Sequence, residues 1–288
     1  MSTAATRTRL FHQVDVFTAE PLRGNPLAVV HGATGLDDAT MAAFARWTNL
    51  SETTFLLPPT DAGAAQGADY RVRIFTPGGE LPFAGHPTLG SAWAWLAGGG
   101  TPRAAGRVVQ ECGVGLVTVR QDGERLAFAA PPLRRSGPLD EATRATIATA
   151  LKLPADAVLH HQWVDNGPGW CAVMLDSAQR VRDLRPDWAA LGDLKLGVVG
   201  PQAAGEDTQF EVRAFVPGLG IPEDPVTGSL NAGIAMWLIG AGLAPPRYVA
   251  AQGSALQRAG RVFVERDADG TVWIGGAVTP VIAGEVTI

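Results

Sequence analysis

Short apolar runs bounded by Gly, Pro or polar residues recur along this chain at residues 10–18, 27–31, 54–57, 70–76 and 108–112. They continue at 116–120, 126–130, 172–175, 210–216 and 262–265. Runs of this length, rich in Val, Phe and Ile, predict β-strands. The last pairs with 272–274 across Asp269-Gly270, a dipeptide suited to a tight hairpin turn. Helical spacing of apolar positions appears at 37–47 and 140–151, and more weakly near 187–194. The strands are too many for a Rossmann sheet and do not alternate regularly with helices. An α+β fold is expected.

Two further apolar runs, 92–97 and 232–244, have a different character. The second (AGIAMWLIGAGLA) has no polar face, and a helix that is hydrophobic all round is buried all round. With so many strands nearby, the expected solution is a helix enclosed by a curved or barrel-like sheet. Each run follows one copy of an internal repeat. Arg73-Ile-Phe75-Thr-Pro77-Gly78, reaching Pro82, matches Arg213-Ala-Phe215-Val-Pro217-Gly218, reaching Pro222, at an offset of 140. After a two-residue difference, His86-Pro87-Thr-Leu-Gly90-Ser91 matches Asp224-Pro225-Val-Thr-Gly228-Ser229. The offset is close to half the chain. Two structurally similar domains are therefore expected, 1–122 and 123–288, with the last strand able to return to the first.

Composition narrows the class. The 288 residues include 23 Lys and Arg against 28 Asp and Glu, a net charge of −5, with no basic stripe to mark a nucleic-acid footprint. The longest apolar run, 13 residues, is shorter than the roughly 20 needed to span a bilayer as a helix. The amino-terminal MSTAATRTRLFHQ lacks the apolar core of an export signal. Cys112 and Cys171 are the only cysteines and have no metal-ligand spacing. A cytoplasmic protein is expected, and a membrane protein, secreted disulfide scaffold, zinc module or nucleic-acid binder is not. Both cysteines are expected to be small buried residues. No dinucleotide fingerprint, nucleophile elbow or His-Glu-x-x-His motif occurs, and Gly98-Gly-Gly100 lacks the Lys-Ser/Thr of a phosphate-binding loop.

Three ionisable side chains stand out. His86 and Asp224 fall at matching places in the repeat as aligned above, each followed by Pro. Glu52 lies in Asn49-Leu-Ser51-Glu52-Thr-Thr-Phe55, where a helix gives way to an apolar strand. A carboxylate entering apolar surroundings is suited to proton transfer near neutrality. Each also has a purely structural reading: Glu52 as a capping or loop residue, His86 as a structural histidine, Asp224 as a helix cap. The Gly-Ser ends of the repeat precede the two apolar helices, whose free N–H groups suit a carboxylate or phosphate. A clamp formed by both helices in a cleft between the halves is expected. His160 and His161 lie in a loop-like, solvated stretch, whereas His12 and His31 lie on strands facing core or solvent.

These residues also carry a family resemblance. Asp15-Val-Phe-Thr, Gly24-Asn25-Pro26-Leu-Ala-Val, Asn49-Leu-Ser51-Glu52-Thr, Phe75-Thr-Pro, Gly85-His86-Pro-Thr-Leu-Gly90 and Glu223-Asp224-Pro-Val-Thr-Gly228-Ser229 occur in that order. Together with Gln252-Gly253 and the final Gly275-Gly276 strand, they resemble the phenazine-biosynthesis PhzF-like family over nearly the whole chain. The resemblance implies the diaminopimelate-epimerase fold, in which two pseudo-symmetric domains each wrap a sheet round a central helix. It implies a cofactor-free isomerase, usually homodimeric, acting on a small carboxylate. Carried over by motif, Glu52 is the general acid/base, with His86 and Asp224 as supporting catalytic residues. Asn25, Ser51, Gly85, Gly228 and Ser229 are the substrate-binding set, and no metal is implied. The related epimerases use two facing cysteines, whereas the matching motif positions here carry His86 and Asp224. A racemase or epimerase using Glu52 as one base, and a non-catalytic protein that binds a small acid, stay open as alternatives.

Overall fold

In the computed structural model, which describes residues 6–219 and 221–288, nearly all the apolar runs are strands. The first five residues of the amino-terminal segment lie outside the described residues. The chain divides into two units: one runs to Phe128 and takes in Gly276–Ile288, and the other is Ala129–Gly275.

The first unit contains β1 (Thr8–Val16), β2 (Asn25–Val30), β3 (Glu52–Leu57), β4 (Tyr70–Thr76), β5 (Gly79–Leu81), β6 (Arg107–Cys112), β7 (Gly115–Asp122) and β8 (Arg125–Ala129). Its helices are α1 (Asp38–Thr48), α2 (Asp61–Ala65) and α3 (Gly85–Ala97). The pairing order β1-β2-β3-β4-β6-β7-β8 reads antiparallel, parallel, antiparallel, parallel, antiparallel, antiparallel. The short β5 pairs back onto β4.

The second unit contains α4 (Glu141–Leu151), β9 (His160–Trp163), β10 (Trp170–Met174), α5 (Ala178–Asp183), α6 (Trp188–Leu191), β11 (Lys195–Pro201), β12 (Phe210–Phe215) and β13 (Glu223–Asp224). After these come α7 (Gly228–Gly240), β14 (Arg247–Gln252), β15 (Gly260–Arg266) and β16 (Val272–Gly276). The order β9-β10-β11-β12-β14-β15-β16 repeats the same sequence of antiparallel and parallel pairings, and β13 pairs back onto β12 as β5 does onto β4. Two copies of one unit therefore underlie the sequence repeat. The last strand, β17 (Val278–Thr287), pairs with β1 and belongs to the first unit.

Each unit holds one enclosed helix. Helices α3 and α7 are both 13 residues long, and nine residues of each are buried. Helix α3 touches β1, β2, β3, β6, β7 and β17, so strands surround it. Full burial of Leu230, Ile234 and Leu238 contributes about 1.5–3 kcal/mol per side chain, which is what drives α7 into its sheet. The sixth residue of both helices is glycine because the sheet comes too close for a side chain. A Cβ at Gly90 would meet Leu27 Cδ2 at 2.5 Å, and one at Gly233 would meet the Val164 carbonyl oxygen at 2.2 Å. Among the described residues no helix is long and apolar enough to cross a membrane.

The register corrects the repeat alignment. Ile74 pairs with Leu81 as Ala214 pairs with Asp224, and Gly85 opens α3 as Gly228 opens α7. The counterpart of Asp224 is therefore Leu81, and the counterpart of His86 is Ser229. The extra residues of the second copy lie in the turn between β12 and β13, upstream of Asp224. Another correction concerns His160 and His161, which are not in a loop. They begin β9, and His161 Nδ1 accepts a hydrogen bond from the Leu139 N–H at 3.1 Å.

Candidate active site

Helix α1 ends at Thr48, just before the segment that leads to Glu52. Its Asp37 N-cap accepts from the Thr40 N–H, and Asn49 ends it in the left-handed conformation (φ 53°), a geometry Asn tolerates better than most residues. The chain then turns into β3, whose first residue is Glu52. On the neighbouring strand, β2 starts at Asn25, and Asp15 Oδ2 holds the turn before it by accepting from the Gly24 N–H at 3.0 Å. Helix α3 brings His86 as its second residue, with Pro87 next, where a missing N–H costs no helical bond.

These elements gather Asn25, Ser51, Glu52, Gly85 and His86 at one end of the enclosed helix. His86 Nε2 lies 3.3 Å from Glu52 Oε2, in a contact too bent to be a well-formed hydrogen bond. Catalytic hydrogen bonds are commonly long or bent before substrate arrives. On its other side, His86 Nδ1 is 3.3 Å from Asn25 Nδ2, and the Ser51 hydroxyl donates to Asn25 Oδ1 at 3.3 Å. The His86 side chain is 5% exposed and Glu52 15%, so the carboxylate is the more open member. Burial pushes the His86 imidazole down to about 3, which keeps it neutral at physiological pH. A neutral imidazole can donate one N–H to Glu52 without adding a charge that would weaken the carboxylate as a base.

The second unit gathers Asp224, Gly228 and Ser229 at the start of α7. Asp224 Oδ2 accepts from the Thr227 hydroxyl. Gln252 ties this turn together: its amide donates to the Asp224 carbonyl and the Thr227 hydroxyl, while its oxygen accepts from the Thr227 N–H and Asn231 Nδ2. The Trp170 indole N–H donates to Ser229 Oγ at 3.0 Å, and Asn166 donates to the Ser229 carbonyl at 2.8 Å. Neither α3 nor α7 has a side-chain cap hydrogen bond.

Sequence reasoning singled out neither Asp15 as the holder of Gly24 nor Thr227, Asn231, Asn166 and Trp170. Asn231 is signalled as an Asn in an otherwise apolar helix, and Asp15 and Thr227 fall within the family motifs, whereas Asn166 and Trp170 carry no local signal. Neither cysteine lies at the start of α3 or α7. Cys171 is buried, which pushes its thiol up to about 12, and Cys112 is half-buried. Among the described residues no group of three or more His, Cys, Asp and Glu is placed to hold a metal ion.

A duplicated unit that wraps a sheet round a helix, with a carboxylate–imidazole pair at one helix start, defines a protein of the epimerase-like fold class. The chain belongs to the phenazine biosynthesis-like protein family, whose model matches residues 14–284. A Schizosaccharomyces pombe protein named Antisense-enhancing sequence 1 is 35% identical, covering 96% of this chain and 97% of its own. The trans-2,3-dihydro-3-hydroxyanthranilate isomerase of Pseudomonas aeruginosa is 36% identical over 78% of each chain. The crystal structure of an Enterococcus faecalis phenazine biosynthesis protein of the PhzF family covers 98% of this chain and 100% of its own, with 26% identity and a TM-score of 0.80.

Proposed function

We propose that this chain is an isomerase that moves a proton, and with it a double bond, within a small unsaturated carboxylate. The observation that carries this reading is the Glu52 carboxylate, partly open, set 3.3 Å from a buried neutral imidazole. Glu52 removes a proton from the saturated carbon next to the substrate carboxylate, which is allylic to the substrate's double bond. The electron pair of that C–H bond spreads over the unsaturated system as enolate-like charge on the carboxylate. The proton then returns at an allylic carbon, so no redox partner or co-reactant is consumed. His86 holds the Glu52 carboxylate by a neutral N–H, and the uncapped first turn of α3 at Gly85 binds the developing charge. On the family motif that carries them, Asp224 is assigned a supporting acid/base role, and Gly228 and Ser229 roles as carboxylate ligands. Catalysis without a cofactor, by a cytoplasmic homodimer, completes the proposal.

The isomerase name of the Pseudomonas aeruginosa relative supports a cyclic dienoic acid as the first substrate to try. The test is turnover of trans-2,3-dihydro-3-hydroxyanthranilate and related cyclic acids in deuterated water, read by NMR and mass spectrometry. Product carrying solvent deuterium is expected, and Glu52→Gln should lose roughly 10²–10⁴-fold in kcat. Full turnover by Glu52→Gln would remove Glu52 from the role assigned here.

A further inference from the structure

We propose that Asn25 and Ser51 are positioning residues that hold His86 in the tautomer with its proton on Nε2, so that a neutral N–H faces Glu52. The inference deepens the proposed function and rests on Glu52 acting from its ionised form. Asn25 is fully buried, between His86 on one side and Ser51 on the other. Its amide nitrogen can only donate, so the 3.3 Å contact from Nδ2 to His86 Nδ1 makes Nδ1 the acceptor. A neutral imidazole carries one proton, and with Nδ1 accepting, that proton is on Nε2.

The opposite arrangement fails on electrostatics. With the Asn25 amide reversed, its oxygen would face Nδ1 and call the proton there. The bare lone pair of Nε2 would then meet the Glu52 carboxylate oxygen at 3.3 Å, acceptor against acceptor, with both atoms buried. Buried polar contacts of that kind cost far more than they would in water. Ser51 anchors the amide through its 3.3 Å bond to Oδ1, and it is the residue immediately before Glu52 on the chain. The segment that delivers the base thus also fixes the amide that orients the base's partner. Burial of the imidazole supports the scheme, because a neutral ring is the only form for which tautomer choice exists.

The test reads the tautomer in the resting protein, independent of any substrate. Histidine labelled with nitrogen-15 is followed by long-range proton–nitrogen correlation NMR, with the His86 signals assigned by their loss in His86→Gln. The expected result is a single neutral Nε2–H form, unchanged between pH 8 and pH 5. Asn25→Asp places a carboxylate against Nδ1 and should convert His86 to the Nδ1–H or doubly protonated form. On an active substrate the same variant should lose roughly 100-fold in kcat with little change in KM. Ser51→Ala should give a mixture of tautomers, and Ser51→Thr, which restores the hydroxyl, should keep the single form. That pair decides the matter if Asn25→Asp does not fold. An Nδ1–H form or a mixture in the wild-type protein overturns the proposal, as does an unchanged Nε2–H form in folded Asn25→Asp or in Ser51→Ala. If the tautomers behave as stated while Glu52→Gln retains full turnover, the function assigned above fails and the lock stands.

Discussion

Arg213 grips Glu223 in a two-pronged pair buried inside the second unit, Nε to Oε1 at 3.0 Å and Nη2 to Oε2 at 2.7 Å. The first unit repeats it with Arg73 and Glu80, at 2.7 and 2.6 Å, and in both units the guanidinium also lies over the ring of the phenylalanine two residues on. The Arg-x-Phe of the sequence repeat is therefore a structural device tying β4 to β5 and β12 to β13. Its two copies differ in burial. The Glu223 side chain is 3% exposed and that of Glu80 42%.

Burial decides the worth of each pair. Removing one partner of a buried pair leaves an uncompensated charge, here the Arg213 guanidinium, at a cost of about 3–5 kcal/mol. An exposed pair is worth about 0–1 kcal/mol. Glu223→Gln should therefore lower the urea midpoint severely, whereas Glu80→Gln should barely move it. Equal losses in the two variants would show that burial does not govern these pairs.

The same device carries the internal repeat of the sequence. The strand runs and the polar-face-free stretch that became α7 were legible because burial on every side imprints unbroken hydrophobicity. The doubling is legible because the same Arg-x-Phe device recurs at the β4–β5 and β12–β13 hairpins. The alignment failed beyond the hairpin, where Gly-Ser matched by identity rather than by register and set His86 against Asp224. Counted along the chain, Glu80 follows Phe75 by five residues and Glu223 follows Phe215 by eight, so the second hairpin holds the insertion. The local pattern does not mark the bounds of β17, because Pro280 and Gly284 interrupt it. The register shift at Gln13/Val14 of β1 accommodates β17, with Gln13 opposite Ile282 and Val14 opposite Pro280. Glu52 was legible as a carboxylate entering a strand. Its contact with His86, and the links from His86 through Asn25 to Ser51, join segments up to 61 residues apart that no local pattern connects.

The histidine pair of His12 and His31 weakens the first unit toward acid pH. His12 Nδ1 lies 2.9 Å from His31 Nε2, a contact with room for one proton between the rings. Burial and then the neighbouring His12 depress the His31 imidazole to about 4. The unfolded chain titrates its histidines near 6.5, so it takes up the proton first as the pH falls. The stabilisation is therefore complete above about pH 6.5 and is lost progressively as the pH drops toward 4. His86 contributes a loss of the same sign, and Glu211, raised by burial, contributes the opposite sign. His31→Gln removes one of these terms, so its urea midpoint should fall less than that of the wild type between pH 7.5 and pH 4.5. Identical falls would show that the pair is not what titrates.

The Tyr248 hydroxyl offers a stabilising change. Its ring packs edge-on against Phe210 with centroids 5.1 Å apart, while its oxygen is buried without a hydrogen-bond partner among the described residues. A buried hydroxyl without a partner keeps its desolvation cost, about 1–3 kcal/mol, and burial drives its titration up out of the normal tyrosine range. Tyr248→Phe keeps the ring and the contact and removes only the oxygen. The void left is small, so the lost packing should offset only part of the gain. Thermal unfolding of Tyr248→Phe should occur at or above the wild-type midpoint, by up to about 1 kcal/mol in stability. A loss of more than about 1 kcal/mol would mean that the hydroxyl has a partner, such as a buried water, which the variant destroys.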